Sequence, residues 1–116
     1  ACRDRRRQEA LARRVRVLLP RVDVAPAFLE LMSPSLAEAV GEAVAAGARR
    51  IAVAPVFWAP GSHLRRDVPA LLGEVCARHP GVRIDLWAVL GERDAILDAI
   101  AADYVAAWDE GDAVAR

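Results

Sequence analysis

The stretch Ile51-Ala52-Val53-Ala54-Pro55-Val56-Phe57-Trp58-Ala59-Pro60-Gly61-Ser62-His63-Leu64-Arg65-Arg66-Asp67-Val68-Pro69 decides the fold of this chain. Its first half, Arg50 to Phe57, is apolar at nearly every position, the pattern of a strand buried on both faces of a parallel sheet. A Pro-Gly loop follows. After it comes an apolar stripe at helical spacing, Val68, Leu71, Leu72, Val75 and Cys76, with Asp67 expected to cap it and Pro80-Gly81 to stop it,. Strand, loop and helix in that order open a βαβ unit, and ligands in open α/β sheets bind beyond the carboxyl ends of the strands. His63, one of two histidines in the chain, falls at that place.

The same alternation extends in both directions. Leu36, Ala39, Val40, Ala43 and Val44 form a second helical stripe, with Ser33-Pro34 as N-cap and first-turn proline and Gly47 closing it,. About Arg5 to Leu18 reads as a helix with Leu11, Val15 and Leu18 inward. A fourth helix, opened near Asp94, carries Leu97, Ile100, Ala101, Tyr104 and Trp108. Val22–Leu29 reads as a strand interrupted by Pro26, and Val82–Val89 as a clean one,. The order α-β-α-β-α-β-α predicts a three-layer α/β sandwich with a parallel sheet, in a single domain over residues 1–116 whose tail from about Trp108 frays. Trp87 and Trp108 are expected to pack.

Composition narrows the function classes. A 55% hydrophobic fraction supports a real core and argues against disorder,. Sixteen basic residues, every one an Arg, balance sixteen acidic ones, so bulk charge gives no pointer to nucleic acid or to an anionic membrane,. The basic run from Arg3 to Arg7 reads as a solvated helix face. Cys2 and Cys76 have neither metal-ligand nor disulfide-framework spacing, and Cys76 reads as a small buried thiol,. With no leader and no apolar run long enough for a bilayer, the expected location is cytoplasmic. Phosphate loops, H-E-x-x-H, nucleophile elbows and C-x-x-C are absent from the sequence,.

The series F-x-x-x-G-x-H-x-x-x-D-V-P from Phe57 to Pro69 resembles the loop-histidine motif of the small sirohydrochlorin cobaltochelatase/ferrochelatase family, CbiX-like proteins that insert a divalent metal into a tetrapyrrole. Further stretches are similar to that family: Ala1-Cys2-Arg3-Asp4, Phe28 to Leu36, Gly47 to Ile51, Val53 to Phe57 and Val89-Leu90-Gly91-Glu92. The resemblance implies a chelatase/flavodoxin-like sheet of strand order 2-1-3-4 with its first strand, and that strand's terminal histidine, missing here. It also implies a gap or a non-native pairing between Val22–Leu29 and Arg50–Phe57. Ser33 stands where the family has a substrate-contacting glutamate, and Pro60 replaces a more flexible or polar loop residue.

What the resemblance implies for chemistry fits the residue types. A neutral imidazole binds Co²⁺ or Fe²⁺ and takes a proton near neutral pH, so His63 is the expected metal ligand and proton acceptor. Ser33, Trp58, Ala59, Pro60, Gly61, Ser62 and His63 are the expected substrate contacts: backbone N–H groups, an indole face and a helix amino end that favours anions. Arg65 and Arg66 suit substrate carboxylates. Glu30 reads equally as a partner of His63 and as a solvated strand end, while Asp67 reads as a helix cap and His79 as a helix-end residue. The leading expectation is a sirohydrochlorin chelatase with Co²⁺ or Fe²⁺ as inserted substrate, no organic cofactor, and a homodimeric state. The alternatives are a degenerate tetrapyrrole- or metal-binding domain supporting a partner chelatase, and, more weakly, a flavodoxin-type nucleotide binder.

Overall fold

The first helix, α1 (Cys2–Leu18), is longer than periodicity suggested and buries a different face. Ala12 is covered at 5% exposure, whereas Leu11 is exposed and Leu18 stands at 79%. The computed structural model describes residues 2–29, 32–59 and 61–115, without the side chains of 2–4, 62–66 and 112–115. Two units divide the chain, residues 1–49 and 50–116, and each is taken by itself below.

In the first unit the expected strand Val22–Leu29 does not form. An isolated parallel bridge between Phe28 and Ser35 is what remains of it, with Phe28 N–H donating to the Pro34 carbonyl at 2.9 Å. Pro26 explains the loss, since it removes a ladder donor from the middle of a short segment. The backbone polar groups still need partners. The Arg16 guanidinium supplies one, donating to the Val24 carbonyl through Nε at 3.1 Å and Nη2 at 2.6 Å.

Helix α2 (Leu36–Ala45) has its stripe as expected, with Leu36 at 7% and Val40 at 3% exposure. Its start differs. The N-cap is Ser35, not Ser33, because Ser35 and Glu38 form a reciprocal capping box that satisfies two first-turn donors at once,. Ser33 and Pro34 precede it, joined by a cis peptide. At the other end Gly47 takes φ 103°, donates to the Val44 carbonyl, and is followed by Ala48 donating to Ala43. That paired arrangement is a Schellman stop, which favours glycine at the left-handed position.

The second unit is a βαβ unit followed by a long helix. Strands β1 (Arg50–Val53) and β2 (Arg83–Leu86) pair in parallel, Arg50 against Arg83 through Val53 against Leu86. Both are shorter than the apolar runs suggested, and β1 alternates exposed and half-covered residues. Pro55 has no N–H to extend the ladder, so regular pairing stops ahead of it. Helix α3 (Ser62–Arg78) joins them and buries Val75 at 2% exposure. It begins five residues before Asp67, which therefore sits inside the helix and is not its cap. Pro69 lies within α3. Its ring holds φ near the helical value, but it removes the N–H that would bond the Arg65 carbonyl and crowds that carbonyl, so helix is kept there against a local cost.

After a 3₁₀ turn at Leu90–Glu92, helix α4 spans Asp94–Ala115. The residues from Trp108 to Ala115 belong to this helix. Tyr104 and Trp108 are 68% and 75% exposed, so the inward stripe expected to include them fails there. At 1.5 Å per residue α4 runs about 33 Å, while four-residue strands span about 13 Å. The helix outruns the sheet of its own unit. Among the described residues, no helix is long and apolar enough to cross a membrane.

Candidate functional site

The exit of β1 carries the chemistry-bearing residues. Past Val53 the chain leaves the ladder, yet it stays tied to the β2 side of the unit by three further bonds. Trp87 N–H donates to the Val53 carbonyl at 2.9 Å, Leu90 N–H to Phe57 at 3.1 Å, and Gly91 N–H to Trp58 at 2.9 Å. These bonds fix Phe57 and Trp58 where an untethered loop would leave them free. Trp58 is 56% exposed there, and Ala59 and Gly61 are exposed beside it.

Gly61 is the N-cap of α3 with an extended backbone, φ −66° and ψ 170°. It has no side chain to occupy the first-turn N–H groups, which are therefore left to water or to an anion. His63 was expected on the loop; the structure makes it the second residue of α3. The helix therefore dictates its backbone, and with it the backbone of Ser62 and Arg65. The side chains of Ser62, His63, Arg65 and Arg66 lie outside the described residues, as do Glu30 and Pro60 altogether. Among the described residues no group of three or more His, Cys, Asp or Glu side chains could hold a metal ion.

In the first unit, Ser33 is committed to local structure. Its hydroxyl donates to Glu38 Oε2 at 3.1 Å, and its carbonyl accepts from Arg5 Nη2 at 2.7 Å, with the same guanidinium 5.3 Å over the Phe28 ring. Ser33's hydroxyl first, then the Ser35 N–H and hydroxyl, hold the Glu38 carboxyl below its ordinary value. A carboxylate whose folded value is depressed contributes stability above its unfolded value and loses it as pH falls through the folded one. Acid should therefore loosen the start of α2, and Ser33→Ala should move that loss to higher pH. Amide exchange of Leu36–Val40 against pH, compared for the parent and Ser33→Ala, measures this; coincident profiles would refute it.

His79 is the C-cap of α3, its N–H donating to the Cys76 carbonyl, which agrees with a helix-end role. Cys76 is half-buried and free. Trp87 is not a packed core residue: it is 46% exposed and carries the Arg93 guanidinium 5.5 Å over its ring. Two positions were underrated by sequence reasoning. Glu38 was legible, since S-x-x-E from Ser35 is a capping-box signature, but Ser33-Pro34 offered a competing start. Gly91 stood in the family-like turn Val89–Glu92, but its packing against Trp58 had no local signal, because that partner is thirty-odd residues upstream.

The CbiX family model matches residues 3–107. The chain belongs to the CbiX family. A crystal structure of a CbiX protein from Marinobacter aquaeolei superposes with a TM-score of 0.71 at 31% identity, covering 90% of this chain and 88% of that one. Two relatives carry activities in their names. The chloroplastic sirohydrochlorin ferrochelatase of Arabidopsis thaliana is 35% identical over 77 residues, which is 66% of this chain and 34% of that protein. The sirohydrochlorin cobaltochelatase of Saccharolobus solfataricus is 50% identical over 46 residues, 40% of this chain and 36% of that protein. The match thus spans about a third of each of these curated relatives. The fold of this CbiX chain is α/β, with a parallel sheet of two strands among the described residues.

Proposed function

We propose that this CbiX chain is a sirohydrochlorin chelatase that takes Co²⁺ or Fe²⁺ as the metal substrate. One observation carries the reading. An exposed indole, Trp58, is held at the exit of β1 by backbone bonds, five residues ahead of His63 in the first turn of α3. The names of both relatives support the substrate class, one through iron and one through cobalt.

Metal insertion needs the ring clamped, the metal partly dehydrated, and two pyrrole N–H protons removed. In this proposal Trp58 stacks on the ring, and Ala59, Pro60, Gly61 and Ser62 complete the contact surface. The open N–H groups at the start of α3, with Arg65, receive the ring's carboxylates. Neutral His63 ligates the incoming metal; as the metal passes to the ring nitrogens, the freed imidazole nitrogen accepts one pyrrole proton and solvent water takes the second. Residues 1–116 act as one domain, a reading supported by a family match that crosses both units, and two copies make the working unit.

The test is anaerobic insertion of Co²⁺ and Fe²⁺ into sirohydrochlorin, followed by the absorption change of the ring. Insertion faster than the protein-free rate supports the proposal. One observation favours the second reading, a tetrapyrrole-binding domain without catalysis: the Ser33 hydroxyl is already engaged by Glu38, at the position where the family resemblance places a substrate-contacting glutamate. Tight binding with no acceleration would select that reading.

A further inference from the structure

Gly91 and Trp58 meet more closely than any side chain at position 91 would permit. A Cβ built there would stand 2.7 Å from the Trp58 carbonyl oxygen, and 3.1 Å and 3.3 Å from Cε2 and Cδ2 of its indole. The first of these is a backbone atom already accepting the Gly91 N–H at 2.9 Å, so it cannot swing aside without breaking that bond. Its neighbour is pinned too, Leu90 N–H donating to the Phe57 carbonyl. Two consecutive donors therefore grip two consecutive carbonyls at the end of the β1 segment. The indole atoms nearest to position 91 are the two ring-fusion carbons, so the backbone of the 3₁₀ turn meets the flat of the ring. With Trp58 56% exposed, the remaining aromatic surface faces outward.

We propose that Gly91 is a positioning residue for ligand binding: by letting the Leu90–Gly91 backbone lie against one face of Trp58, it presents the rest of the indole to a flat, conjugated ring. The inference rests on the tetrapyrrole reading above and deepens it. Gly91 need touch no substrate atom. Its effect passes through the orientation of Trp58, whose stacking strength depends on ring offset and tilt.

The experiment uses the full chain with Trp87→Phe and Trp108→Phe, which leaves Trp58 as the single indole. Emission and acrylamide quenching of Trp58, without ligand, are compared with and without Gly91→Ala. Sirohydrochlorin binding is then titrated on the same proteins and in a Trp58→Ala background, read from the absorption of the tetrapyrrole. The expected result is a shifted, more quenchable Trp58 in Gly91→Ala at unchanged far-UV circular dichroism. Binding should weaken about tenfold, the scale of one lost aromatic contact. In the Trp58→Ala background, Gly91→Ala should change the affinity by less than about twofold, because the two substitutions act on one contact. Equal losses in both backgrounds, or an unmoved Trp58 emission, would overturn the proposal alone. No binding by the parent chain would overturn it together with the functional reading. Should Gly91→Ala not fold, Trp58→Phe against Trp58→Ala decides. Phe keeping affinity within about threefold while Ala loses about tenfold supports a stacking face, and equal affinities overturn it.

Discussion

His63→Ala is expected to lower the rate of Co²⁺ and Fe²⁺ insertion into sirohydrochlorin by about a hundredfold or more, the usual size of a lost proton-transfer group. In the proposed mechanism one imidazole serves twice, first as a ligand and then as the acceptor of a pyrrole proton, so its removal acts on the chemical step. Ring binding depends on Trp58 and the surrounding backbone, so KM for the tetrapyrrole should stay within about threefold while kcat collapses, the pattern of an interaction made in the transition state. His79→Ala is the internal control. It lies at the opposite end of the 17-residue helix α3, about 25 Å away at 1.5 Å per residue, and should leave kcat at the parental value. Steady-state insertion assays on the three proteins check this. A His63→Ala protein working at the parental rate would remove the histidine from the mechanism.

Leu36→Ala should be the most damaging of the simple core truncations. Leu36 is 7% exposed, stands directly after the N-cap Ser35, and shares the buried face of α2 with Val40. Truncation removes the transfer free energy of the lost methyl and methine groups and leaves a space that close-packed neighbours fill incompletely, about 3 kcal/mol in comparable sites. The capping box cannot compensate, because it fixes only the backbone of the first turn. Urea titration with circular dichroism measures the loss. Val105→Ala, at a site 60% exposed on α4, is the matched comparison and should cost under about 0.5 kcal/mol,. Equal costs at the two sites would mean that the buried face of α2 is not part of a core.

The stretch from Ile51 to Pro69 was readable as strand, loop and helix because its signals are local: β-branched residues, a Pro-Gly break, then apolar residues at three- and four-residue spacing. The stripes of α2 and α3 were readable for the same reason. Reading failed where a local signal had two outcomes. Ser33-Pro34 and Ser35 both offered a start to α2, and the reciprocal pairing with Glu38 selected Ser35. Asp67 looked like a helix cap, but α3 starts at Ser62 and carries Pro69 in its interior despite the lost bond and the crowding of the Arg65 carbonyl,. Val22–Leu29 had strand-like composition without enough ladder donors. On α4, of the expected stripe only Ile100 is half-covered while Leu97, Ala101, Tyr104 and Trp108 are exposed, because periodicity marks an apolar face but says nothing of whether a covering surface meets it.

The sequence alone identified the family and pointed to the Pro-Gly loop and His63 as the candidate site, since these rest on residue types at fixed spacing along the chain, while the structure places His63 in α3 instead of on the loop. Tertiary structure decided which backbone holds that loop. Leu90 and Gly91 reach Phe57 and Trp58 across more than thirty residues of intervening chain, and the lack of a side chain at Gly91 acquires its meaning only when the Trp58 carbonyl and indole lie against it. Spacing along a chain encodes periodic faces, whereas the distance between two separate segments is fixed by packing and hydrogen bonding that neither segment contains by itself.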